Sequence, residues 1–100
     1  RLMMTIETRP WDPVERLSTL EAQEAYLEAA FEEGDPDLIV AAIGDIARAR
    51  GMSEIAANAN VSREVMYKSF RQGGNPTLNT LSQVARALGY KLNIQPVIKQ

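Results

Sequence analysis

The sequence predicts an all-α bundle of about five helices flanked by short terminal β-strands. Apolar residues recur three and four apart in successive segments, each opened by a capping residue and most closed by glycine. Strict alternation of period two is confined to the two ends of the chain. In residues 54–70, "EIAANANVSREVMYKSF", a helical pattern breaks at Asn60-Val61-Ser62 and starts again at once.

Taken in order, Met4, Ile6 and Thr8 alternate with Thr5, Glu7 and Arg9 until Pro10 stops them, which predicts a short strand. Asp12-Pro13-Val14-Glu15 joins a cap, a proline at the first helical position and a carboxylate three residues after the cap, enough for one helical turn. Ser18 and Glu21 have capping-box spacing. Leu20, Leu27, Ala30 and Phe31 then form an apolar stripe closed by Gly34, predicting a helix over about residues 19–33. Asp35-Pro36 opens the next helix, with Ile39, Ala42, Ile43, Ile46 and Ala47 on one face and Gly51 as its stop. Arg48 and Arg50 fall in its last turn, where cations suit the helix dipole. Thr77 caps a helix carrying Leu78, Leu81, Val84, Ala85 and Leu88, closed by Gly89. Finally Tyr90, Leu92 and Ile94 alternate with Lys91, Asn93 and Gln95, an edge strand limited by Pro96.

The break has a physical purpose. Ser53 is placed to cap a short helix whose inward residues are Ile55, Ala56 and Ala59. Asn60 tolerates positive φ and so reverses the chain at low cost. Val61 plugs the core, Ser62 caps the second helix, and Val65, Met66 and Phe70 join Val61 on its inward side. The other face carries Arg63, Glu64, Tyr67, Lys68 and Arg71, a long-armed and mostly basic stripe. A supporting helix, a tight turn and a second helix with such a face form a helix-turn-helix, which lays its second helix in the DNA major groove. An ordinary helical hairpin, with Glu64 and Lys68 as a solvated i,i+4 pair, is the competing reading.

Composition bounds the chemistry. The 100 residues suffice for one modest core, so the expectation is a single domain over 1–100, with a strand or arm at 1–11, a helical core at 12–89 and a strand or tail at 90–100. There is no cysteine or histidine, which removes disulfides, thiolate zinc sites and the commonest acid-base groups. No catalytic residue, metal site or cofactor is expected, and the chain reads as a non-enzyme. Nothing approaches a membrane-spanning run of about 20 apolar residues, so no membrane role and a cytoplasmic location are expected. Charge is segregated. Residues 1–45 hold three cations against eleven acids, net −8, whereas residues 46–100 hold eight cations against two acids, net +6. Two surfaces with different partners would explain this, and so would chance with solubility.

These residues resemble a known family. Ile55-Ala56, Asn60-Val61-Ser62 and Gly73-Gly74-Asn75-Pro76-Thr77-Leu78 through Ala87-Leu88-Gly89 look like the Cro/repressor-type (Xre-like) helix-turn-helix. More narrowly, "AYLEAAFEEGDPDLIVAAIGDIARARGM" leading into "VSREVMYKSF" and "GNPTLNTL" is similar to addiction-module antidote proteins, the HigA-like antitoxins, over about residues 12–92. Asn60 stands where such domains often carry glycine, and Glu54 where many place a phosphate-holding glutamine.

The resemblance implies an antitoxin that pairs with a basic RelE-like ribonuclease toxin and represses the operon encoding both. A stand-alone phage-type repressor without a toxin is the alternative. Carried onto this chain, the DNA-contacting candidates are Ser62, Arg63, Glu64, Tyr67, Lys68, Arg71, Asn75 and Thr77. Arg63 suits bidentate recognition of a guanine edge, while Tyr67 and Lys68 could reach a base or a phosphate. Glu64 either accepts from a cytosine amino group or steadies Arg63 and Lys68. Ser62, Asn75 and Thr77 stand at helix starts, where phosphate contact competes with capping and turn formation. Because one reading helix buries little surface, a homodimer on double-stranded operator DNA is expected. Glu21, Glu24, Glu28 and Glu32 line one helix face, either complementing a cationic toxin or merely solvated. Trp11 and Tyr26 are either partner anchors or covers of the core edge.

Overall fold

The computed structural model describes residues 17–98. Among them run five α-helices: α1 Leu20–Glu33, α2 Pro36–Arg50, α3 Met52–Ala59, α4 Arg63–Ser69 and α5 Leu78–Ala87. The expected N-terminal strand, the turn at Asp12-Pro13 and Trp11 lie outside the described residues. No described helix is long and apolar enough to cross a membrane.

Local chemistry sets the helix ends. The α1 cap is Thr19, whose Oγ1 accepts from the Ala22 amide at 3.1 Å, one residue after the expected Ser18. Asp35 accepts from the Asp37 amide at 3.0 Å, and Pro36 supplies the preset φ of a first helical residue. Ser53 is not a cap: α3 starts one residue earlier, directly from Gly51. Gly51, at φ 112°, both stops α2 and starts α3, so the amides that a Ser53 cap would hold already belong to the helix ladder, that of Ile55 bonding to the Gly51 carbonyl at 3.1 Å.

The core is built where these helices converge. Ile46, Met66, Phe70 and Val84 are fully buried, with Ile43, Ala47, Ile55, Ala56, Ala59 and Leu88 around them. α1 packs on α2, and α3 sits between α5, α2 and α4. Small residues matter here, because Ala56 and Ala59 let α3 approach α5 without a steric barrier. Gly44 does the same for α2: a Cβ at that position would overlap the main-chain oxygen of Phe70, just past α4.

Four apolar positions differ from expectation, one of them Phe31, which is 50% exposed in the last turn of α1 although the expected apolar stripe includes it. Leu20 and Leu78, 62% and 74% exposed, are the first residues of α1 and α5 and project beyond the ends of the core. Val65 is exposed rather than inward, since about 100° per residue swings it off the buried arc centred on Met66 and Phe70. Residues 90–98 form no strand. The alternation of Tyr90, Leu92 and Ile94 is real, but a strand exists only against a neighbour that completes its hydrogen bonds, and the described residues provide none.

One polar cluster ties the ends together. Gln23, 4% exposed, donates from Nε2 to the Leu17 carbonyl at 2.9 Å and accepts from Arg50 Nε at 2.8 Å. Arg50 also donates to the Leu88 carbonyl at 2.8 Å, satisfying an orphan acceptor at the end of α5, and lies over the Tyr90 ring.

Candidate nucleic-acid interface

The candidate surface is organised by the turn between α3 and α4. Asn60 has φ 61° and ψ 44°, the left-handed conformation its side chain tolerates better than most. Its amide bonds to the Ala57 carbonyl at 3.2 Å and the Val61 amide to the Ala56 carbonyl at 2.9 Å, the paired bonds of a Schellman motif. Val61 then packs on the core, and Ser62 accepts from the Val65 amide at 3.1 Å to start α4. Met66 and Phe70 anchor one side of α4 in the core, so its opposite side must face solvent.

On that side Arg63, Glu64, Tyr67 and Lys68 are all exposed. The Arg63 guanidinium lies 5.8 Å from the centre of the Tyr67 ring, one turn along, which restrains a long side chain that would otherwise be free. Glu64 and Lys68 make no ion pair; among the described residues the ion pair is Arg48–Asp45, at 2.6 Å. Steadying of Lys68 by Glu64 therefore has no counterpart in the geometry. Arg71 is exposed but not on the helix, because α4 ends at Ser69 and the backbone of Phe70 leaves the helical range at φ −104°, ψ 64°. It stands in the following turn, closed by the Gly74 amide on the Arg71 carbonyl at 2.8 Å.

Asn75 is exposed, and its side chain has no partner among the described residues. Thr77 caps α5 by accepting from the Thr80 amide at 3.1 Å, and its hydroxyl donates to Thr80 Oγ1 at 3.0 Å. The geometry of both Ser62 and Thr77 is thus capping.

The acidic residues Glu21, Glu24, Glu28 and Glu32 all lie exposed along α1. They lie on an element that makes no more than marginal contact with α4. Tyr26 belongs to the core edge, packed on the hydrophobic cluster with its hydroxyl donating to Asp45 Oδ2 at 2.6 Å. Arg48 holds the other oxygen of Asp45, and Arg50 is engaged with Gln23 and Leu88, so two cations of the basic half serve the fold. Sequence reading missed this polar cluster and the Gly44–Phe70 approach. A lone glycine inside an apolar helical pattern was the available signal for the latter.

The family model described as "Probable addiction module antidote protein" matches residues 7–96. The chain is also similar to an uncharacterized protein of Haemophilus influenzae, 41% identical over 92 residues that make up 92% of this chain and 95% of that one. No solved structure matches it.

Proposed function

This chain belongs to the addiction-module antidote family, and from that membership we propose that it is a DNA-binding antitoxin that represses its own operon and neutralises a RelE-like ribonuclease toxin. Membership implies a toxin partner. DNA binding is the added step, and one observation carries it: beyond the left-handed turn at Asn60, α4 turns Met66 and Phe70 into the core and leaves Arg63, Glu64, Tyr67 and Lys68 exposed on its far side.

In this reading α3 supports and α4 enters the major groove as the second element of an Xre-type helix-turn-helix. Arg63, with its planar fork already leaning on Tyr67, reads a guanine edge. Lys68 and Arg71 contact phosphates, which position the protein without reading sequence, and unpartnered Asn75 is the further donor. Glu64, unpaired with Lys68, is left to accept from a cytosine amino group. Two copies acting as a homodimer supply the second half-site. The exposed glutamates of α1 face away from the core and suit the rim of a cationic toxin. The protein acts by binding, in the cytoplasm, without a cofactor.

The test is a comparison of the protein's own promoter with a scrambled duplex across a salt series, with and without the product of the neighbouring gene. Preference for the promoter that survives rising salt supports the reading. Equal, weak and steeply salt-dependent binding to both duplexes overturns the DNA role.

A further inference from the structure

α1 carries five glutamates and no lysine or arginine, and none of the five is ion-paired among the described residues. Glu24, Glu28 and Glu32 follow one another at four residues, a spacing at which like charges weaken a helix. α1 holds this row against its own stability. At about 100° per residue, Glu24 and Glu28 border Leu27 and Phe31 on one side of the helix. With Tyr90 these four line an open groove of about 360 Å³, and a cleft of about 220 Å³ shares Leu27 and Phe31 and reaches Ile43 and Ala85. The floor is apolar and Phe31 is half-exposed. Tyr90 is fixed by its amide, which bonds to the Ala85 carbonyl at 2.8 Å, and by Arg50 over its ring. A preformed groove with aromatic anchors and a charged rim has the make-up of a protein-binding hot spot.

Charge selects the occupant. A nucleic acid or an anionic lipid surface would meet Glu24 and Glu28 with like charge, and a second copy paired by a two-fold axis through this face would bring each acidic rim against its twin. A protein segment that is cationic beside its apolar side chains meets neither obstacle. Lys91, the cation among these linings, rims the cleft and not the glutamate-lined groove. Shape narrows the choice further. The main chain of α1 is paired inside its own helix, so a strand gains no hydrogen bonds here and affinity must come from side chains. From Glu24 to Phe31 the groove runs about 10 Å, which matches about two turns of a helix with apolar residues three and four apart.

We propose that this groove is the seat of the toxin partner: an amphipathic helix of the toxin inserts apolar side chains between Phe31 and Tyr90 while its lysines or arginines pair with Glu24 and Glu28. The inference rests on the antitoxin reading above and adds the apolar seat that the glutamates border. Its probe is the product of the neighbouring gene, titrated into the full chain by calorimetry. Phe31→Ala, and separately Glu24→Lys with Glu28→Lys, should each weaken binding at least about tenfold while helical circular dichroism is retained. The loss from the charge reversal should shrink as salt rises, whereas the loss from Phe31→Ala should persist. Glu33→Lys with Glu54→Lys changes the net charge equally but away from the groove, and should bind within about twofold of the parent. Equal losses in the two charge-reversed pairs overturn the proposal.

Hydrogen exchange of the unmutated chain supplies the second arm, since it needs no variant to fold. Adding the gene product should slow exchange along residues 24–31 and at 90–93. A product that binds the parent and every variant alike, or that protects only other elements, overturns the groove while the antitoxin reading stands. A product that does not bind the parent overturns both. Dissociation of a parent dimer by the same substitutions, with no product present, gives the groove to a second copy and overturns the proposal too.

Discussion

Gly44 lies against the main-chain carbonyl of Phe70 with no room for a methyl group between them. The obstacle is backbone, so no rotamer change relieves it, and α2 must move from α4. Gly44→Ala gains about 1 kcal/mol of helix propensity, but overpacking against an unyielding neighbour costs about 1 to 3 kcal/mol or more. A net loss of stability is expected, read as a lower urea midpoint. A midpoint at or above the parent's would mean that the two elements separate freely.

Arg50 joins three parts of the chain, and its geometry matters beyond its charge. Arg50→Lys keeps the charge, yet one ammonium does not reproduce a fork bonded to both Gln23 and Leu88. Because the group is partly exposed, the expected destabilisation is about 1 to 2 kcal/mol. Thermal unfolding of the lysine variant unchanged from the parent would assign the role to charge alone.

The turn at Asn60 separates two costs of substitution. Asn60→Ala should lose about 1 to 2 kcal/mol, since a Cβ without a compensating polar group is strained at positive φ. Asn60→Gly should stay within about 1 kcal/mol of the parent, the gain in tolerance offset by a freer unfolded chain. Denaturation curves of both variants check the order, and alanine equal to glycine would contradict it.

Arg63→Ala should cost about 1 to 3 kcal/mol on the preferred operator and relax base preference at one position. Lys68→Ala should instead weaken all duplexes alike and reduce the salt slope by about one per subunit. Titrations of a panel of operator variants distinguish the two. An Arg63→Ala protein that bound as tightly and selectively as the parent would move the reading surface off α4.

Much of the fold was legible because it rests on local rules. The caps at Asp35, Ser62 and Thr77, the left-handed Asn60 and the inward row Ala42, Ile43, Ile46, Ala47 follow from residue type and a 3.6 period. The exposed α4 face was legible for the same reason, although Arg71 fell off the helix where Phe70 ends it. Burial at helix starts was not, since periodicity assigns Leu20 and Leu78 an angle without saying that the core stops short of them. Long-range pairs were not legible either. Nothing local distinguishes Gln23 from a surface glutamine, because its partner Arg50 is brought near only by the packing of α1 on α2.

The brevity of α4 has a consequence for the DNA role proposed above. Seven residues rise about 10 Å, roughly three base-pair steps of duplex. A word of three letters recurs on the order of once every 64 positions in a genome, far too often to mark one locus. On the proposed DNA role, the information that singles out a locus would have to come from repetition and spacing of the word, which requires two copies acting together.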